Sequence, residues 1–211
     1  MAEPASPEPS KRPRRTQAER RATAERELLA AALRLVAERG IGRTTLADIG
    51  EAAGYSRALP AVYFRDKAGL IRALWHHVAE LFNGRVRQFE RRQKGLDAVL
   101  GLVELYLTRS GADPLVFRAT QVLLIEAFSA APEIRDSAVQ HNRNSEQALA
   151  RQIRAGIERG EIRGDVDPGA QAILIIAALR GALSRWIIDP SVNLSRVRKE
   201  MVSALRRSLA P

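Results

Sequence analysis

The feature that most constrains this chain is the spacing of its apolar residues, which recur three and four positions apart almost from end to end. Leu28, Leu29, Ala32, Leu33 and Val36 keep to one helical face, and Leu96, Val99, Leu100, Val103 and Leu107 keep to another. Leu149, Ile153 and Ile157 repeat the pattern, as do Leu174, Ala178, Ala182 and Trp186. No run alternates apolar and polar residues between turn signals, so the spacing predicts an all-α fold. Clusters of Gly, Pro, Asp and Ser interrupt it at 40–43, 54–55, 64–66, 110–114, 131–132, 160–168 and 189–193. They leave short helices before about residue 70 and longer ones after it. The expected organisation is a small N-terminal module over 19–68 and a larger helical bundle over 69–211. Residues 1–18 are rich in Pro, Ser, Glu and Arg with almost nothing apolar, which predicts a disordered basic arm.

Composition narrows the chemistry. There is no cysteine, which excludes disulfides, thiolate metal sites and a cysteine nucleophile, and the only histidines are His76, His77 and His141. No glycine-rich phosphate loop, HExxH or paired Glu-x-x-His is present, so neither an enzyme nor a metal or other cofactor is expected. The net charge is +10, and half of that excess falls in the first 75 residues. Such a balance favours a polyanionic partner, nucleic acid or an acidic membrane surface. The N-terminus has no apolar core segment, and the longest apolar run, Ala172 to Leu183, is interrupted by Arg180. The expectation is a soluble cytoplasmic protein with no membrane partner.

The stretch "TTLADIGEAAGYSRALPAVYF" supplies the parts of a helix-turn-helix. Thr45 can cap a first helix, with Asp48 three residues on in a capping-box arrangement. Leu46, Ile49 and Ala53 form its inner face, and Gly50 is small enough for a second helix to cross closely. Gly54 can take the left-handed conformation a sharp turn needs. Two starts are open for the second helix. Ser56 is a good N-cap, which puts Pro60 in the first turn; alternatively the helix begins near Leu59, with Pro60 at a favoured first position. In either case the proline shapes the start of a helix and does not break its middle.

The segment "RELLAAALRLVAERGIGRTTLADIGEAAGYSRALPAVYFRDKAGLIRAL", Arg26 to Leu74, resembles the tetracycline-repressor (TetR) family of bacterial transcription regulators. It departs from that pattern at Ala58, where many members have Gly, and at Pro60–Ala61, where many have an aliphatic residue and a tyrosine. The resemblance implies a three-helix helix-turn-helix module that binds double-stranded DNA, its second motif helix in the major groove. The implied DNA-contacting set is Arg43, Thr44, Thr45, Ser56, Arg57, Ala58, Ala61, Tyr63 and Lys67. Thr44, Thr45, Tyr63 and Lys67 are expected on phosphates. Arg57 is a base reader, since a guanidinium can bind guanine O6 and N7 together, or else another phosphate contact. Phe64 is expected in the core and Tyr63 shared between core and DNA.

The family also implies a bundle that binds a small-molecule effector and dimerises. Trp75, Tyr106, Phe117, Gln121 and His141 are candidates to line the effector pocket, or are ordinary core, and His141 lies between Gln140 and Asn142 in a context more typical of a surface residue. The helix over 169–186 is apolar nearly all round and must be covered on two sides. Ala177, Ala178, Gly181 and Ala182 give it a small-residue stripe. With a companion over 147–157 it would form a four-helix interface in a homodimer, through Ile153, Ile157, Leu174, Ala178, Gly181 and Ala182. The functional expectation is a ligand-responsive repressor of a palindromic operator. The competing one is a basic helical protein that coats nucleic acid without sequence preference.

Overall fold

The computed structural model describes residues 16–91, 93–108 and 114–211; residues 1–15 of the expected basic arm and 110–113 of the expected break at 110–114 lie outside them, while residues 17 and 18 belong to the first helix. Among the described residues there are nine α-helices and no strand. Helix α1 spans Gln17–Arg39 and opens on a reciprocal cap: Glu19 N–H donates to the Thr16 hydroxyl, and Thr16 N–H donates to the Glu19 carboxylate at 2.7 Å. It ends at Gly40, whose φ of +80° suits a residue without a Cβ. Short helices α2 (Leu46–Ala52) and α3 (Leu59–Phe64) follow, then α4 (Lys67–Glu90), α5 (Gly95–Leu107) and α6 (Pro114–Glu126). After a 3-10 turn at Pro132–Ile134 come α7 (Arg135–Glu158), α8 (Pro168–Ile188) and α9 (Leu194–Leu209). Asp167 and Asn193 cap α8 and α9 through their side-chain oxygens.

Two hydrophobic clusters organise the molecule. The first gathers Leu28, Leu33, Val36, Ile49, Phe64 and Leu74 around α1 to α4, and it takes in Val116, Ala119 and Leu123 from α6. The second gathers Val99, Val103, Leu149, Ile153, Ile175 and Leu179 from α5, α7 and α8, closed by Leu205 and Leu209 of α9. Helix α4 belongs to both, with Trp75 and Val78 in the first and Phe82 in the second. The expected cut at residue 68 falls inside α4, one residue after its start, and α6 packs into the cluster around the N-terminal helices. The break between α4 and α5, absent from the expected set, is polar from Arg91 to Lys94 and turns at Gly95, whose φ is +60°.

Helix α8 is long and apolar enough, by length and composition, to cross a membrane, which the shorter run Ala172–Leu183 had not indicated. In the fold it packs along α7, with Ala172, Ile175, Ile176, Leu179 and Leu183 buried.

Candidate functional site

Helices α2 and α3 form a tight pair. Thr45 caps α2: Asp48 N–H donates to its hydroxyl, and Thr45 N–H donates to the Asp48 carboxylate at 3.0 Å. Hydrogen bonding by Thr45, reinforced by Arg39 at 2.6 Å, holds the Asp48 carboxyl below the usual carboxylate range. Gly54, with φ +78°, turns the chain, and Tyr55 N–H donates to the Gly50 carbonyl at 2.8 Å. The crossing leaves no room for a side chain at Gly50: a Cβ there would sit 2.5 Å from the Ser56 carbonyl oxygen and 3.2 Å from Arg57 Cα.

Ser56 is not the N-cap of α3. The helix starts at Leu59 with Ala58 in the cap position and no side-chain cap, and the Ser56 carbonyl accepts from Leu59 N–H in a preceding turn. Pro60 is the second helical residue, where its missing N–H removes no helical bond. It is also buried, its ring against Gly50. Pro60 and Phe64 thus form the inner edge of α3, while Ala58, Ala61 and Val62 face solvent, Val62 at 72% exposure. Arg57 is exposed just before α3 and pairs with Glu51 at 2.7 Å. Tyr63 is half-buried against the core, with the Arg21 guanidinium 5.6 Å from its ring centre. Around this edge lie the exposed Arg43, Thr45, Ser56 and Lys67; Lys67 Nζ is 3.4 Å from the Gly42 carbonyl.

Thr44 does not join that surface. It is 2% exposed and its hydroxyl donates to the Gly40 carbonyl at 2.8 Å, so it fastens the turn after α1 and has no donor left for a phosphate. The same turn carries a link that sequence reasoning missed: Ile41 N–H donates to the Glu126 carboxylate of α6 at 2.8 Å. Nothing in the local pattern pairs residues 85 positions apart.

The bundle encloses an aromatic cluster. Tyr106, Phe117, Gln121 and His141 line one small chamber, joined by Phe82, Arg180 and Leu183. Phe82 is the hub, its ring centre 5.6 Å from Tyr106, 5.2 Å from Phe117 and 5.2 Å from His141. Trp75 stands behind His141, edge-on at 5.5 Å, and belongs to the first core. His141 is therefore not a surface residue; it is 6% exposed, because its side of α7 faces α4. Burial, with the Arg180 charge adding to it, lowers its pKa to about 4. Burial pushes the Tyr106 phenol up to about 12, partly opposed by Arg180. Phe82 and Tyr106 also wall a second, larger cavity of about 240 Å³.

The expected dimer residues divide. Leu174, at 63% exposure, lies with Ile173, Ala177, Ala178 and Gly181 on the exposed side of α8. Ile153 is fully buried in the protomer's own core and is unable to reach a partner; Ile157 and Ala182 pack partly against that core. The outward face of α7 carries Arg143, Asn144, Gln147, Arg151 and Arg154 in place of an apolar stripe.

Residues 28–74 match the family model for bacterial regulatory proteins of the tetR family, and residues 121–201 match that for a tetracyclin repressor-like C-terminal domain. The HTH-type transcriptional regulator TtgR of Pseudomonas putida is 28% identical over 186 residues, covering 86% of this chain and 88% of TtgR. A TetR transcriptional regulator from Chloroflexus aurantiacus superposes with a TM-score of 0.78 at 21% identity, over 89% of this chain and 96% of that one. A transcriptional regulator from Saccharomonospora viridis, solved in complex with choline, superposes with a TM-score of 0.77 at 23% identity, over 90% and 99%. The helix-turn-helix at one end of the chain, the repressor-like domain at the other and the all-helical fold between them agree: this chain belongs to the TetR family of DNA-binding transcription regulators.

Proposed function

We propose that the protein is a dimeric repressor that binds a palindromic operator and is released from it by a small molecule held in the bundle. The observation that carries the reading is the division of α3. Pro60 and Phe64 are buried against α1 and α2, so Arg57, Ala58, Ala61 and Val62 are presented outward as one face. A short helix held this way fits a major groove, with Arg57 and Val62 offering a guanine-binding fork and an apolar contact for a thymine methyl. Arg43, Thr45, Tyr63 and Lys67 flank that face as phosphate contacts, and the sequence neighbours Ser56 and Ala58 complete it. The exposed stripe Ile173, Leu174, Ala177, Ala178 and Gly181 on α8 serves the two-fold contact with a second copy. The chamber around Phe82 supplies the effector site, its aromatic walls joined by the polar Gln121, His141 and Arg180. Such a protein acts in the cytoplasm and catalyses no reaction.

Selection of bound sequences from random DNA tests this. One recovered inverted repeat with fixed half-site spacing is the expected result. Recovery of no preferred sequence favours the non-specific coating protein, and a single unrepeated half-site removes the dimer from the reading.

A further inference from the structure

Among the buried polar atoms of the bundle without a partner, two belong to residues that line the same chamber, His141 Nε2 and Arg180 Nη2, and a third, Gln152 Oε1, belongs to the lining of the larger, outer cavity. Arg180 Nη1 donates to Asn142 Oδ1 at 2.8 Å, which is a neutral acceptor, and among the described residues no carboxylate pairs with this guanidinium. A buried guanidinium N–H without an acceptor is costly in a low-dielectric interior, and a structure that keeps one has it available for something else. The chamber itself has free volume of about 10 Å³, room for roughly one water. Phe82 and Tyr106 line both this chamber and the 240 Å³ cavity. That outer cavity combines apolar walls, among them Val86, Leu102 and Ile176, with Arg87 and Arg151. No aspartate or glutamate among the described residues lines either space.

We infer that the two spaces are one ligand site for an amphipathic organic anion, with an aromatic or aliphatic body in the outer cavity and an acidic head on Arg180 and His141. The head replaces the acceptor that Arg180 Nη2 lacks and takes a hydrogen bond from His141 Nε2. Charge-assisted bonds of this kind are roughly twice as strong as neutral ones. With Arg87 and Arg151 at the outer wall, no cation finds a counter-charge among the described residues along the path. Phe82, which lines both spaces, sits on α4, so a ligand that spans them bears on the helix that both clusters share. His141 of α7 touches Trp75 of α4, so the ligand's head lies one ring away from the core of the DNA-binding module.

The inference rests on the effector reading above. Its test is calorimetric titration of the full-length chain with three probes of one shape: 2-naphthoate, 2-naphthamide and 2-naphthylmethylammonium. The acid is expected to bind about tenfold or more tightly than the amide, and the ammonium most weakly. In Arg180→Gln the acid should lose about tenfold, while the amide, which reports an intact cavity, stays within about a factor of two. Tightest binding by the ammonium, no binding by any of the three, or an acid affinity unchanged in Arg180→Gln overturns the inference. The wild-type ranking holds as evidence even if the variant fails to fold. Binding in the expected order with no effect on DNA affinity upholds the anion site and overturns effector release, so the two readings fail separately.

Discussion

At the scale of single residues, position decides role more than residue type does. Thr44 and Thr45 are adjacent and chemically identical, yet one is sealed beneath the turn after α1 and the other caps α2 at the surface. Arg57 is exposed and paired with the also exposed Glu51, an ion pair of small worth that a guanine can replace. Arg57→Ala should therefore relax preference at one base position per half-site by about 1–3 kcal/mol. Lys67→Ala should weaken all sequences alike, and parallel binding titrations on matched and mismatched operators separate the two effects. Gly50 is fixed chiefly by backbone, since a Cβ would meet the Ser56 carbonyl oxygen first, then Arg57 Cα and the rigid Pro60 ring. Gly50→Ala should lower stability by about 1–3 kcal/mol, because no side chain can swing aside. Thermal unfolding should show the loss, together with weaker operator binding as α3 shifts.

At the scale of elements, the polar groups of α6 and α7 govern what the helices around them can do. The Glu126 carboxylate at the end of α6 is the acceptor for Ile41 N–H, so α6 holds the turn between α1 and α2 in place. Glu126→Ala leaves that N–H without an acceptor, at a cost of about 1–3 kcal/mol. Amide exchange at Ile41 should accelerate selectively, and operator affinity should respond less to effector. On α7, the lowered pKa of His141 fixes a sign. Its folded-state pKa of about 4 lies below the ordinary value of 6.5, so between these values the unfolded chain binds more protons. The stability associated with neutral His141 is full above about pH 6.5 and is lost as pH falls toward 4, at roughly 1 kcal/mol per pH unit. Melting temperatures at pH 7 and pH 5 should differ by less in His141→Gln than in the wild-type chain.

At the scale of the whole molecule, α8 is the helix with two surfaces. One side, through Ile175, Ile176 and Leu179, belongs to the second core, and the other exposes Ile173, Leu174, Ala177, Ala178 and Gly181. Ala178→Glu should leave each protomer folded and yield monomers with much weaker operator binding, read by sedimentation and by DNA titration. Unchanged dimers would move the interface elsewhere. Much of this architecture was legible in the chain itself. The 3.6-residue periodicity, the cap at Thr45–Asp48, Gly54 and the placement of Pro60 in a first turn are local properties, set by backbone sterics and by neighbours within a few residues. The exposed half of the α8 stripe was legible for the same reason. What only the tertiary structure decided were facts about which side of a helix meets another helix. Ile153 turned inward because α5 and α8 close over it. His141 and Arg180, polar residues that periodicity assigns to no face, were brought to one chamber by the packing of α7 against α8 and α4. Spacing along a helix fixes an angle about its own axis; the direction of the core along that angle is set by the other helices, and that is information no local stretch contains.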